Sequence, residues 1–351
     1  MLRFPNKYRD DLENAQLIYE TIESSHRGLG KLVLFEVLSD IANRCVLVVG
    51  CSGTGKSRVT DLLYGRVKRS KLKIDAITVS GLKRFNKILS YNDMTIVVDD
   101  LSKGQTEWSQ MATVSVFSSL CYTGSIVKIT GNLEIMIQGF RGSAIINLQP
   151  LLLRKIARLP EFETDIRDKT IRYYHLRFPV EENINPLPFP NNLEWGYLDD
   201  FNLPIKENNK RLYNMAFENF RYEFSKARAR EHLNAYLNAS AKLNNRAEIT
   251  RADLWLIYQL SKNFRLEHNV LVKKDLEGAR QLDRNVLPIL SAIATYRAPR
   301  VKDLCFRFGI KKTRLYEILT DVTDYALLVK NKGVVIPTDT TREILKESGE
   351  W

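Results

Sequence analysis

The chain contains little of what builds a disulfide framework, a zinc site or a membrane anchor. Its 351 residues include only four cysteines and four histidines. No apolar run approaches the roughly 20 residues of a membrane-spanning helix, and the first residues lack the apolar core of a signal peptide. We therefore expect a cytoplasmic protein with no membrane partner. The cysteines and histidines do not have the spacing of zinc ligands, and the cysteines do not indicate a disulfide framework. The cysteines are Cys45, Cys51, Cys121 and Cys305, and the histidines are His26, His175, His232 and His268.

Positive charge is in excess. Lysine and arginine number 53 against 41 acidic residues, a formal net charge of +12. Such an excess favours a polyanionic partner, although a generally basic soluble protein would show the same total. The distribution of the charge along the chain therefore matters more than its sum. The length allows two or three domains.

Residues 46–61, VLVVGCSGTGKSRVTD, are the most informative stretch. An apolar run enters a turn with the spacing G-x-x-x-x-G-K-S, and a helical pattern follows. Glycines let successive N–H groups converge on one anion, Lys56 supplies charge for the β- and γ-phosphates, and Ser57 offers a hydroxyl to Mg²⁺. The alternative is a glycine turn followed by Lys-Ser by chance. The spacing predicts a nucleoside-triphosphate loop with the contact residues Gly50, Cys51, Ser52, Gly53, Thr54, Gly55, Lys56, Ser57 and Arg58.

Polar residues follow two later apolar runs. The run 94–98 ends in Asp99 and Asp100; we expect Asp99 to hold the metal and Asp100 to orient the attacking water. The next predicted strand, 125–130, is followed by Gly131 and Asn132, and the Asn132 amide is suited to bond the γ-phosphate or the lytic water. Ordinary polar turns at both places are the alternative.

The order of predicted elements indicates an α/β fold with a parallel sheet covered by helices on both faces. Two helices, 8–24 and 31–42, come first. A proline-rich linker spans 179–209, a helical region spans 210–280, and short helices with a hairpin follow to 337. The predicted strands are 46–49, 74–79, 95–98, 125–130 and 171–178, and the intervening helices are 56–64, 82–89, 110–121 and 144–159.

The C-terminal part has a helix-turn-helix pattern. Val301, Leu304 and Phe308 share one apolar face, Gly309 allows the turn, and residues 327–336 form two short strands, so the segment resembles a winged-helix domain. An earlier helix near 286–294 supplies its third side. Seven basic residues and one acidic residue lie between 297 and 314. We predict DNA contacts, with protein binding as the alternative, from Arg300, Lys311, Lys312, Thr313, Arg314 and Lys332.

Over roughly residues 30–265 the chain resembles the AAA+ ATPases, which include replication initiators, helicase loaders and minichromosome-maintenance helicases. The resemblance implies that residues 50–57 are Walker A, that Asp99 and Asp100 are Walker B, and that Asn132 is the first sensor. Most AAA+ motors end Walker B in Asp-Glu. The Asp-Asp pair, shared with DnaA-type initiators, suits a nucleotide switch better than a fast motor.

The same resemblance implies roles for several basic residues. Arg154, after a Leu-Leu run, is the implied arginine finger, with Arg158 as second candidate and a solvated helix-face arginine as the alternative. Arg230 is the implied second sensor on a nucleotide-covering lid, with Arg228 as the other candidate. Two basic residues, Lys83 and Arg84, lie between predicted strands two and three. In ring-forming relatives this region projects toward DNA; the alternative is a solvated basic face of a helix.

These observations predict an ATPase core at 1–205, a helical lid at 206–280 and a winged-helix domain at 281–351. The expected cofactors are ATP and Mg²⁺, and the expected partners are DNA and further copies of the chain in a ring or helical assembly such as a hexamer. The expected role is replication initiation, helicase loading or unwinding. The alternative is a transcription or transposition regulator that uses ATP as an assembly switch; a small-molecule kinase is disfavoured.

Overall fold

The computed structural model describes residues 2–77, 81, 93–103, 106–130, 133–175, 186–190, 193, 195, 203–205, 209–267, 289, 292–293, 296, 299–321, 326–329 and 333–337. Some predictions lie outside these residues: the helix at 82–89, most of the helix near 286–294, and the side chains of Lys83, Arg84, Asn132 and Lys332.

The fold is α/β and is built on a parallel sheet of five strands. The strands lie in the order β2-β3-β6-β1-β7, where β1 is Cys45–Val49, β2 is Ser70–Ile74, β3 is Asp93–Val98, β6 is Arg141–Leu148 and β7 is Thr170–Tyr174. In the centre, Val48 of β1 pairs with Asn147 of β6 and with Tyr173 of β7. Because all five strands are parallel, the segments that follow β1, β3 and β6 meet at one edge of the sheet, which we call the carboxyl edge.

Helices cover both faces, as the continuous apolar strands require. Alternate residues of β1 face two separate cores: Leu47 packs with one set of helices and Val48 with the other. The first core includes α4 (Glu107–Thr123) and α5 (Pro150–Ala157). The second core includes α1 (Glu13–Ser25), α2 (Gly30–Ile41), α3 (Lys56–Arg66) and the helical region of α6 (Lys210–Phe220), α7 (Lys226–Leu243) and α8 (Arg251–Ser261).

The sheet differs from the prediction at its fourth strand. Residues 126–130 do form a strand, but β4 (Ile126–Thr130) pairs antiparallel with β5 (Leu133–Ile137) in a separate hairpin. The strand beside β3 is β6, which covers the first part of the helix predicted at 144–159. That prediction is wrong there, because the β-branched run Ile145–Ile146 packs in the sheet and the helix begins only at Pro150, a residue suited to a first helical turn.

The second strand also lies earlier than predicted. It spans Ser70–Ile74 rather than 74–79, and it is an edge strand with exposed Lys71 and Lys73. Charged lysines on an edge strand discourage pairing with other chains. The alternation of these lysines with Leu72 and Ile74 is the sequence pattern that indicates a strand at this position.

The C-terminal residues form two helices and a hairpin, as predicted. Helix α9 (Val301–Phe308) ends at Gly309, which has φ 60°, and α10 (Lys312–Asp321) follows. Strands β8 (Ala326–Val329) and β9 (Val334–Pro337) pair antiparallel, and Val335 donates its N–H to the carbonyl of Pro299 at 3.0 Å. The segment before α9 therefore lies beside the hairpin. In the described part of the chain no helix is both long enough and apolar enough to cross a bilayer.

Candidate nucleotide site

The glycine-rich loop between β1 and α3 lies at the carboxyl edge and depends on its glycines. Gly53 and Gly55 have φ of 76° and 87°, which side chains disfavour. Gly50 is required for a different reason, since a Cβ there would lie 2.5 Å from the carbonyl oxygen of His175. The loop is thus a close-fitting main-chain turn that leads directly into the first turn of a helix, where N–H groups attract anions.

Lys56 closes this loop from within. Its Nζ donates to the carbonyl oxygens of Gly50 and Cys51, both at 2.6 Å, and the residue is 8% exposed. Burial lowers the pKa of Lys56 to about 8, against the nearby charges of Cys51, Asp100 and Asp99. A buried ammonium held by neutral carbonyls gains by exchanging them for phosphate oxygens.

Asp99 offers an unused ligand close to this lysine. Its Oδ1 is buried and has no hydrogen-bond partner, while its Oδ2 lies 3.8 Å from Nζ of Lys103. Ser57 is exposed on the first turn of α3. An orphaned carboxylate oxygen and a hydroxyl fit Mg²⁺, which keeps several waters and takes its other ligands from phosphates. Among the described residues, no group of three or more His, Cys, Asp or Glu is placed to hold a metal.

Asp100 has a structural task as well. Its Oδ1 accepts the N–H of Ser102 at 2.9 Å and so caps the 3-10 turn Leu101–Lys103. Lys103 in turn pairs with Asp75 at 3.1 Å. Only the other oxygen of Asp100 is left for the predicted part in orienting water. Lys103, which the sequence analysis did not single out, lies close to both carboxylates and lowers the negative charge there.

The prediction for Asn132 rested on a wrong strand. The strand before it, β4, belongs to the separate hairpin and not to the parallel sheet. The polar residue at the end of β6 is Gln149, which is exposed, and the adjacent Leu148 carbonyl accepts the N–H of Gly50 at 3.1 Å. Gln149 therefore lies between the loop and the carboxylates. Its signal in the sequence was the following Pro150, because the residue before a proline favours an extended conformation.

A buried polar cluster lies beneath the site. Thr60 of α3 donates to the main-chain carbonyl of Lys56 at 3.0 Å and accepts from Nδ2 of Asn147 at 2.9 Å. Its hydroxyl also lies 3.4 Å from Oε1 of Glu36 on α2. Glu36 is fully buried, and this burial raises its pKa well above the usual value, while the Thr60 contact opposes the rise. The cluster couples the loop helix to β6, the strand that carries Gln149.

Two segments cover the loop. His175 follows β7, and its Nε2 lies 3.0 Å from the carbonyl oxygen of Thr54. On the other side Leu29 contacts the place that a Cβ on Gly55 would occupy. The turn before α2 is fixed by Glu23, whose two carboxylate oxygens accept the N–H groups of Gly28 and Gly30. The loop is therefore open mainly toward the carboxyl edge.

The two candidates for the arginine finger, Arg154 and Arg158, differ in exposure. Arg154 is buried within the chain at 6% exposure, which does not suit a side chain presented to a neighbouring subunit. Arg158 at the end of α5 is exposed and does suit that role. Arg58 is half-buried on α3.

The structure does not bring the two arginines predicted as second-sensor candidates to the loop. Arg228 lies over the Tyr122 ring at 4.4 Å, and Arg230 bonds to Tyr213. Helix α7 begins beside Asp168, whose Oδ1 accepts the N–H of Ser225. Asp168 precedes β7, so the start of α7 is at the edge of the sheet opposite the loop.

The predicted DNA contacts that can be placed are all on the surface. Lys311, Lys312, Thr313 and Arg314 are exposed at the start of α10, and Arg300 is exposed beside the hairpin. Arg314 pairs with Glu317 at 2.9 Å, an exposed pair that is easily exchanged for a phosphate.

Comparison with known proteins adds no relative. No family model matches the chain, and no curated protein matches it.

Proposed function

We propose that the chain is a P-loop ATPase of the AAA+ kind that binds Mg²⁺-ATP at the carboxyl edge of its sheet. The observation that carries this proposal is that a buried Lys56 and the orphaned Oδ1 of Asp99 lie near each other at that edge, close enough for their charges to interact. Among the described residues, Nζ of Lys56 has no carboxylate within ion-pair distance and Oδ1 of Asp99 has no hydrogen-bond donor. A triphosphate with its magnesium ion satisfies both.

The roles follow from position. Lys56 neutralises charge on the β- and γ-phosphates, and Ser57 and Asp99 hold the magnesium ion, directly or through water. When bound, the ion would supply positive charge that stabilises the negative charge developing on the transferred phosphoryl group. Asp100 accepts the proton of the attacking water through its second oxygen, and Gln149 takes the part predicted for Asn132.

DNA is the proposed polyanionic partner. In support, the exposed basic turn at the start of α10 follows another short helix and precedes a hairpin, an order of elements that resembles a winged helix. With subunits assembled so that Arg158 reaches a neighbour's nucleotide, ATP would order an oligomer on DNA. We propose a role in replication as an initiator, a helicase loader or a helicase.

The second candidate is a nucleotide-gated regulator that uses ATP only as an assembly switch. It is favoured by Asp100, because an aspartate engaged in capping a turn is a poorer base than a free glutamate. Such a protein binds ATP tightly, hydrolyses it slowly and does not separate strands.

The test is an ATPase assay with and without DNA, together with strand displacement. Lys56→Ala should abolish hydrolysis, while the control Lys71→Ala, which removes an exposed lysine that donates to the carbonyl of Tyr64, should leave it unchanged. Arg314→Ala should weaken DNA binding and spare hydrolysis. If Lys56→Ala hydrolyses ATP at the wild-type rate, the proposal is wrong. If hydrolysis is slow, does not depend on DNA and is not accompanied by strand displacement, the second candidate, a regulator that uses ATP as an assembly switch, is supported.

A further inference from the structure

A second concave site lies away from the loop, between the N-terminal segment and the first turns of α6 and α8. Its volume is about 470 Å³, within the range of small-molecule and cofactor pockets. We call it the α6–α8 pocket. It is lined by Pro5, Lys7, Tyr8, Asn209, Arg211, Leu212, Met215, Arg251 and Trp255.

The lining combines aromatic rings with positive charge. Trp255 contacts Tyr8 at a ring-centroid distance of 5.8 Å, and Nζ of Lys7 lies 4.9 Å from the Tyr8 centroid. Arg211 and Arg251 are exposed at the mouth. The described lining has three cations and no carboxylate.

The carboxylates near the start of α8 form hydrogen bonds with residues other than Arg211 and Arg251. Asp253 accepts both guanidinium NH groups of Arg246, and Asp11 accepts the hydroxyl of Thr250. In the described part of the chain, Arg211 and Arg251 have no ion pair. Neither arginine is therefore held by a carboxylate of the described residues.

Both helices present their N-termini to the pocket. Asn209 caps α6 by accepting the N–H of Leu212, and Thr250 caps α8 by accepting the N–H of Ala252. Two parallel helix dipoles add to the three cations. From the pocket, α8 runs 11 residues, about 16 Å, toward the carboxyl edge at Asn263, so the pocket is separate from the nucleotide loop.

We propose that the α6–α8 pocket binds one nucleotide unit of a single-stranded nucleic acid, with the base against Trp255 and its phosphates on Arg211 and Arg251. An aromatic wall beside cations, with no carboxylate in the described lining, matches a base with its phosphates. A duplex keeps its bases stacked and paired, so only an unpaired strand can supply the base. This inference rests on the proposed DNA-binding function and adds a place where the strand is held.

The test is fluorescence anisotropy with a labelled 20-nucleotide oligothymidine at several salt concentrations. The double variant Arg211→Ala/Arg251→Ala should bind at least about tenfold more weakly. Its slope of log affinity against log salt should be shallower by about 1.4, for two lost phosphate contacts. The matched control is Lys226→Ala/Lys242→Ala, which removes two exposed lysines of α7 outside the lining and should bind like the wild type.

Two further arms identify the ligand. Trp255→Leu should lower affinity about 5- to 100-fold for the strand, the range of one stacked base, and much less for a duplex of equal length. Thymidine monophosphate, at the same nucleotide concentration, should not displace the strand. Displacement by the mononucleotide would assign the pocket to a free nucleotide and overturn the proposal. Because both arginines are exposed, the charge variants should keep the wild-type melting temperature.

Failure here is distinguishable from failure of the ATPase proposal. If the Arg211/Arg251 variant binds the strand like its control while Arg314→Ala loses binding, the pocket proposal is overturned and the ATPase proposal stands. The wild type could bind the strand without hydrolysing ATP, and only the pocket variants could lose that binding. Such a result would support the pocket proposal and contradict the ATPase proposal.

Discussion

The side-chain amide of Asn263 pairs with the main chain of Tyr174 as a neighbouring strand would. Its Oδ1 accepts the Tyr174 N–H and its Nδ2 donates to the Tyr174 carbonyl, each at 2.5 Å. Tyr174 is the last residue of β7, an edge strand of the sheet. Two residues earlier, Arg172 is fully buried and donates to both carboxylate oxygens of Glu267 at 3.0 Å. The helical region is thus fixed to the edge of the sheet by side chains.

Replacing Asn263 should release this edge. Asn263→Ala leaves a buried N–H and a buried carbonyl without partners, and each such group costs about 1–3 kcal/mol. We expect the free energy of unfolding to fall by about 2–4 kcal/mol, measured by urea denaturation. Asn214→Ala, on the exposed face of α6, should change it by less than about 0.5 kcal/mol. Equal stability of the two variants would show that the pairing contributes nothing.

Glu36 should make stability depend on pH. Because burial raises its folded pKa above the unfolded value, the folded state must keep a proton that the unfolded state releases. Wild-type stability should therefore fall as pH rises from about 4.5 to the raised pKa, by up to about 1.4 kcal/mol per unit.

Glu36→Gln removes this penalty. The variant should match the wild type near pH 4 and become the more stable of the two as pH rises through 7, as measured by urea denaturation at several pH values. Glu218→Gln, at an exposed position on α6, should run parallel to the wild type throughout. A pH-independent difference for Glu36→Gln would mean that Glu36 has the same pKa in the folded and the unfolded protein.

Sequence reasoning located the loop and the carboxylates because each is set by a short local pattern. A continuous apolar run such as 46–49 must be buried on both faces, which predicts a parallel sheet. The strand before the predicted polar sensor was assigned to the wrong sheet, because an apolar run does not show which strand it pairs with. The local signal was present: Gly131 and Asn132 are two residues between two β-runs, a pattern typical of a hairpin.

Other parts of the site could not be predicted from local pattern. The approach of Gly50 to His175 joins residues 125 positions apart, and Asn147 of β6 donates to Thr60 of α3. The α6–α8 pocket assembles residues from the N-terminus and from two later helices. Such contacts depend on how the layers pack, so they appear only in three dimensions.

Nucleotide binding should take up a proton at alkaline pH. The pKa of Lys56 is about 8 in the free protein because the amine is buried, and bound phosphates should raise it. Between pH 8 and 9 part of the lysine is neutral, so binding must protonate it, and affinity should fall as pH rises. Titration calorimetry at pH 8.5 in two buffers of different ionisation enthalpy measures the uptake. Lys56→Arg, which stays charged, should bind without it.

The exposed Arg158 should act on a neighbouring subunit's nucleotide, whereas Arg154 should act on stability. Arg158→Ala should lower kcat by about 10³-fold, the scale of an arginine finger, with an unchanged melting temperature. Arg154→Ala removes a buried side chain and should lower the melting temperature. Mixing Arg158→Ala with Lys56→Ala subunits should restore activity, because a Lys56→Ala subunit can present an intact Arg158 to an intact loop. A mixture no more active than its two components would exclude action between subunits.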